Sequence, residues 1–221
     1  MADLRMATMN GDSTKIGQEV IQALASSLRG DLLTPDTPGY DEARIIWNAM
    51  IDRRPAMIIR CADVADVMRA VSFARHHQVL VAVRGAGHNI AGNAVCDKGL
   101  MIDLSAMKSV RVNPETRRAY VEPGATLGDF DHATQAFGLA TPLGINSTTG
   151  ISGLTLGGGF GWLSRKYGMS VDNLVSAEVI TADAKRVRAS TQENPDLFWA
   201  VRGGGGNFGV VTLFEIGRAH V

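Results

Sequence analysis

The hydrophobic and polar positions change rhythm along this chain. In the first fifty residues, IGQEVIQALASSL carries apolar residues at helical spacing, Pro35, Pro38 and Gly39 interrupt the chain, and EARIIWNAM adds a second short apolar stretch. Residues 1–50 are therefore expected to form a helical leader without chemistry of their own. From about residue 56 the period alternates. MIIRC predicts a strand, and Asp63 is placed to cap a helix whose apolar face repeats at Val64, Val67, Met68, Val71 and Ala74. VLVAV at 79–83 predicts a buried strand, LMIDL at 100–104 another, and RAYVEPG at 118–124 a strand ending at Pro123-Gly124. Thr126, with Asp129 three positions on, predicts a capped helix running to Phe137 and closed by Gly138. SAEVITADAKRVRAS predicts a hairpin, with strands 176–181 and 186–190 about a turn at 182–184. Asn194-Pro195 opens a short helix that stops at Gly203 or Gly204, and VVTLFEI at 210–216 is a last strand. The mixture predicts an α+β fold, with a domain over 51–216 in lobes of about 51–130 and 131–216.

Composition narrows the classes. The 221 residues are 45% hydrophobic and 20% charged, enough to bury a core. Lys plus Arg and Asp plus Glu each number 22, so no charge excess argues for a nucleic acid or an anionic membrane as partner. No stretch has the length of a membrane span and no secretory signal pattern opens the chain, so a cytoplasmic enzyme with a small-molecule substrate is the expectation. The sequence is silent on oligomeric state. Cys61 and Cys96 fit no metal spacing.

The 25 glycines are clustered, eight of them between Gly144 and Gly168 and five between Gly203 and Gly209. In VLVAVRGAGHNIAGN a strand runs into Gly85-Ala86-Gly87, where the backbone can turn and point successive amides into one concavity suited to a pyrophosphate. The dinucleotide fingerprint fails, because its third glycine falls on Ile90. The triphosphate loop fails too, because Asn93 and Ala94 stand for Lys and Ser/Thr. A plain tight turn stays open on this loop alone. His88, just past Gly87, offers an imidazole nitrogen, a competent nucleophile toward an electrophilic cofactor carbon. The run Gly157-Gly158-Gly159-Phe160-Gly161 places four glycines in five positions. Each costs backbone entropy, so the expected use is close approach of a flat or phosphorylated ligand. A third loop, Arg202 to Gly209, repeats the theme.

VRGAGHNIAG, GLTLGGGFGWLSRKYGMSVDN and NPDLFWAVRGGGGNFGVVT, in this order and spacing, resemble the berberine bridge enzyme-like FAD-linked oxidases, which belong to the vanillyl-alcohol-oxidase type. The resemblance runs from about Arg54 to Ile216. It implies a two-lobed PCMH-type FAD-binding domain with FAD between the lobes. It implies that the loop Arg84, Gly85, Ala86, Gly87, His88 and Asn89 holds the pyrophosphate through backbone N–H groups, and that His88 bonds the 8α-methyl of the flavin. Gly144, Thr149, Gly150, Gly153, Gly157, Gly158 and Gly161 would line the flavin and phosphates. Asn173, Val179, Gly209 and Val210 would contact adenosine and flavin. Asn146 stands where doubly linked members carry a cysteine, and Leu154 where they often carry histidine. One covalent link is therefore expected, as in the singly linked 6-hydroxy-D-nicotine oxidase branch.

The implied activity is oxidation of a C–H bond next to oxygen or nitrogen in a sugar, alcohol or amine, by hydride transfer to covalently bound FAD with dioxygen as acceptor. The rivals are a non-catalytic flavin- or nucleotide-binding module and an ordinary NAD-linked dehydrogenase. The missing third glycine counts against the latter. Tyr167 could touch substrate or simply pack. His76, His77, His132 and Asp103 receive no catalytic role, and no catalytic base is assigned. Members of the family continue well past this length, so a substrate domain is expected to be missing and this chain alone to be inactive. The ending EIGRAHV resembles a translated sequencing adapter. Residues 217–221, and at the extreme Glu215 and Ile216, are accordingly expected to be non-native.

Overall fold

The computed structural model describes residues 3–217. The fold is α+β and divides into two compact units, one built on residues up to Ala106 with Ala182–Ala184, the other on Met107–Thr181 and the chain from Lys185 onward. The expected lobe boundary near residue 130 is thus corrected to Ala106/Met107. Strand 118–121 pairs with strand 210–216 at the far end of the chain, a pairing that no local pattern reveals.

In the first unit, β1 (Leu4–Ala7) and β2 (Ser13–Ile16) form an antiparallel hairpin. They are followed by α1 (Gln18–Ser27), β3 (Asp31–Leu33), α2 (Tyr40–Arg44), β4 (Met57–Arg60), α3 (Val64–His77), β5 (Val81–Arg84) and β6 (Leu100–Asp103). A four-stranded sheet has the order β3-β4-β6-β5, with β3 antiparallel to β4 and the other pairs parallel. The helical leader is therefore a correction. Residues 1–50 supply three strands as well as helices, because runs as short as LRMA, STKI and DLL are too brief to show a period. Central β4 and β6 are buried along their whole apolar length, as parallel strands covered on both faces are. β5 is an edge strand instead. Val81 and Val83 are partly open to solvent while Ala82 and Arg84 are buried, a distinction that an unbroken apolar run does not carry.

Asp63 caps α3 as expected, its carboxylate accepting the Asp66 amide at 3.0 Å. The buried face of α3 is rotated from the expected one and comprises Asp66, Val67, Ala70, Phe73 and Ala74. Asp66 is fully buried because its carboxylate accepts three backbone amides, from Arg29 (3.0 Å), Gly30 (2.9 Å) and Ala62 (3.0 Å). Burial pushes its pKa up, but the amides of Arg29, Ala62 and Gly30 outweigh this and hold the carboxyl below its ordinary range. A depressed native pKa stabilises the fold above the unfolded value of about 3.9. That stabilisation is lost as pH falls through the native value. Urea unfolding at pH 7 and pH 3 should show wild type losing more stability to acid than Asp66→Asn, while the variant is already weaker at pH 7 by about 1–3 kcal/mol.

The second unit contains β7 (Val110–Asn113), β8 (Arg118–Val121), α4 (Leu127–Gln135), α5 (Ile151–Leu156), α6 (Ser164–Tyr167), a 3₁₀ turn (Ser170–Asn173), β9 (Leu174–Ile180), β10 (Arg186–Ser190), α7 (Pro195–Val201) and β11 (Val210–Ile216). The strands form one antiparallel sheet in the order β10-β9-β11-β8-β7. Val121, Phe130, Ile151, Val179, Phe198 and Phe214 anchor its core. The Thr126–Asp129 capping box and the β9–β10 hairpin form as the sequence predicts. Of the expected tail, Glu215 and Ile216 lie in β11, where Glu215 accepts from the Ser176 hydroxyl at 2.6 Å and from Arg118 and Arg188. Residues 218–221 lie outside the described residues.

Candidate functional site

β5 runs directly into the Gly85–Asn89 loop. Gly87 sits at φ +75°, a left-handed conformation that glycine adopts without strain. Among the described residues, none of the seven successive amides of residues 85–91 donates a hydrogen bond to the chain. The first amide to donate is that of Gly92, to the Asn89 carbonyl at 3.0 Å, and Asn93 follows with a 2.9 Å bond to Asn89 Oδ1. Backbone amides are obligatory donors, so a run of unmatched ones beside a sharp turn is a ready receptor for an anion. These residues fit the diphosphate of a dinucleotide cofactor.

The Arg84 side chain plays a structural part. Its guanidinium turns inward, meeting Asp103 through Nε–Oδ1 (3.1 Å) and Nη2–Oδ2 (2.7 Å) and donating to the Ile45 carbonyl at 2.9 Å. Arginine and aspartate are both buried, so the Arg84 side chain is a strut under the loop.

Residues 45–53 form a strap over the same loop. The Trp47 amide donates to the Gly87 carbonyl at 3.1 Å, Asn48 Nδ2 to Ile90 O at 2.9 Å, and Arg53 Nη1 to Gly92 O at 3.0 Å and Val95 O at 3.1 Å. A Cβ on Gly92 would stand 2.8 Å from the Ile51 side chain. Ile46 and Ile51 join Tyr40, Ile58, Ala94, Val95 and Met101 in one apolar cluster. The expectation that residues 1–50 carry nothing for the site is therefore corrected. The only local signal is the apolar pair Ile45-Ile46 beside Trp47, which reads equally well as core. The His88 imidazole stacks on the Trp47 indole, with centroids 5.3 Å apart and planes inclined by 20°.

In the second unit, two of the glycine loops meet. The amides of Gly203 and Gly205 both donate to the carbonyl of Leu156, the last residue of α5, at 3.0 Å. Several of the glycines there also lie tightly against the protein's own atoms. A Cβ on Gly161 would lie 1.9 Å from the Leu143 carbonyl oxygen, on Gly158 2.7 Å from Met169 Cε, and on Gly144 2.7 Å from Leu154 Cδ1. Gly209 packs the same way on β9, its Cβ position 2.5 Å from Ile180 O. Val179 is fully buried in β9 and Val210 pairs with Ile180, so neither side chain is open to a ligand. Buried Asn173 donates to the carbonyls of Met169 (2.8 Å) and Tyr167 (3.2 Å), tying together the turn that precedes β9. Thr149 accepts the Leu127 amide at 2.8 Å, Gly150 begins α5, and exposed Gly157 ends it. Gly153 differs: it is exposed, and nothing lies within 4 Å of where its Cβ would be. Asn146 shapes its own turn, with Oδ1 accepting the Thr148 amide at 3.0 Å and hydroxyl at 2.9 Å.

A family model described as an FAD binding domain matches residues 55–190. The FAD-linked oxidoreductase YgaK of Bacillus subtilis is 41% identical over 192 residues, 85% of this chain. The chain belongs to the family of FAD binding domains. Among solved structures, this FAD-binding chain matches 6-hydroxy-D-nicotine oxidase from Arthrobacter nicotinovorans with TM-score 0.86 and 38% identity, over 88% of this chain and 43% of that one. It also matches glucooligosaccharide oxidase from Acremonium strictum, with TM-score 0.84 and 32% identity over 89% of this chain and 42% of that one. The chain spans only 43% of the length of YgaK. Among its described residues, no helix is long and apolar enough to cross a membrane.

Proposed function

We propose that this chain holds FAD through the Gly85–Asn89 loop, with one covalent link from His88, and serves an oxidase that removes hydride from a carbon bearing oxygen or nitrogen in a sugar, alcohol or amine. The observation that carries this reading is the row of unmatched amides over residues 85–91 beside an imidazole that makes no hydrogen bond among the described residues. Bound FAD would supply the two-electron chemistry, and dioxygen would be the final acceptor. The chain's own residues bind and orient. The loop amides neutralise the diphosphate, the Arg84–Asp103 pair and the 45–53 strap hold the loop's shape, and His88 offers its nitrogen. Gly153, with free space above it, is where the second unit could admit a ligand closely. The solved glucooligosaccharide oxidase carries a 6-S-cysteinyl, 8α-N1-histidyl FAD. Asn146 has no thiol to offer, which favours a single link here. The two free cysteines, Cys61 and Cys96, are both buried, and they suit the reducing cytoplasm that belongs to this proposal.

The test is acid precipitation of the purified yellow protein. Wild-type precipitate should keep its flavin fluorescence, and His88→Ala should release all of it into the supernatant. A fluorescent His88→Ala precipitate would place the link elsewhere.

A further inference from the structure

His88 is held in an unusual way for a histidine with work to do. Its ring takes no hydrogen bond among the described residues, and its one aromatic neighbour among them is Trp47, stacked on it with ring centroids 5.3 Å apart and planes inclined by 20°. Trp47 is itself fixed from behind, because its amide donates to Gly87 O at 3.1 Å, one residue before His88. Trp47 as a residue is 57% exposed, so it is not placed there by core packing. A histidine is more often oriented through one ring nitrogen, which leaves only the other for chemistry. Stacking grips the π face. The nitrogen lone pair lies in the ring plane, so a face contact fixes the plane and leaves both nitrogens free.

We propose that Trp47 is a positioning residue for covalent attachment, clamping the His88 imidazole by its face so that an in-plane nitrogen meets the cofactor's 8α carbon. The proposal rests on the reading of His88 as the attachment point. In that step a bond forms between an imidazole nitrogen and the 8α carbon, and one 8α C–H bond breaks. The imidazole N–H proton and the 8α proton pass to the cofactor's ring nitrogens. The electron pair of the broken bond stays in the ring system, which ends reduced by two electrons, and dioxygen takes these up to give hydrogen peroxide.

The experiment uses apoprotein from a riboflavin-starved host, mixed with FAD and sampled into acid over time. Stacking of this geometry corresponds to about a three- to tenfold effect, so Trp47→Ala should gain acid-stable flavin about three- to tenfold more slowly than wild type. Trp47→Phe, which keeps an aromatic face, should recover most of the rate. Reversible FAD binding at early times should be equal in all three, because the bond from residue 47 to Gly87 O is made by backbone. Independently of the cofactor, the His88 ring-proton NMR signals should move downfield in Trp47→Ala as the indole ring current is lost. Attachment at the wild-type rate in Trp47→Ala overturns the proposal. So does Trp47→Phe as slow as Trp47→Ala with reversible binding lost in both, which would mean a purely structural role. Acid-stable flavin absent from wild type itself overturns the His88 reading and this proposal with it, a result distinct from the other two.

Discussion

Asp103→Ala is expected to cost about 3–5 kcal/mol, because it strands the buried Arg84 guanidinium without its counter-charge. The carboxylate also accepts the Ser105 amide at 3.0 Å and lies 3.5 Å from Arg60 Nε, so one truncation disturbs three groups. Against a typical domain stability of about 5–15 kcal/mol, the loss should appear as a collapse of the urea midpoint. Replacing both partners, Arg84→Met with Asp103→Leu, should recover much of it, since a well-packed apolar pair substitutes for a buried ion pair at little cost. If the double variant proves no more stable than Asp103→Ala, the guanidinium's bond to Ile45 O matters more than its charge balance.

Gly161→Ala is the second large effect. The added methyl would lie 1.9 Å from the Leu143 carbonyl oxygen, and backbone cannot swing aside as a side chain can. Overpacking commonly costs about 1–3 kcal/mol. A backbone-on-backbone clash belongs at or above the top of that range, about 3 kcal/mol or more. Gly153→Ala, eight residues earlier in the same glycine-rich run, is the internal contrast. Its site is open and helical, so alanine should be neutral or stabilise by about 0.5–1 kcal/mol. Thermal unfolding of the two variants side by side checks both. A Gly161→Ala protein that melts with wild type would remove the packing explanation for this glycine.

That contrast shows where the sequence was readable. Capping chemistry was, because Asp63 and Thr126 act on amides only three residues away. The β9–β10 hairpin was, because its turn joins strands adjacent in the chain. The turn after β5 was, because a strand feeding Gly85-Ala86-Gly87 signals it within a few residues. What stayed hidden depends on distance along the chain. β8 belongs with β11, and Arg84 is spent on Asp103. Gly161 is small because Leu143 is behind it, a reason that looks the same in sequence as room for a ligand. Asp66 breaks an apolar stripe because amides from residues 29 and 30 arrive on that face.

The strap over residues 45–53 bears on how this domain should be cut for study. The family match begins at residue 55, two positions after the last strap residue. A domain trimmed to that boundary would keep the histidine and the glycine turn but lose Trp47, Asn48, Ile51 and Arg53, and with them the bonds that tether Gly87, Ile90, Gly92 and Val95. Excision at the family limit removes the loop's scaffolding while leaving its motif intact, so such a protein would look complete by its signature residues and yet hold its cofactor loosely.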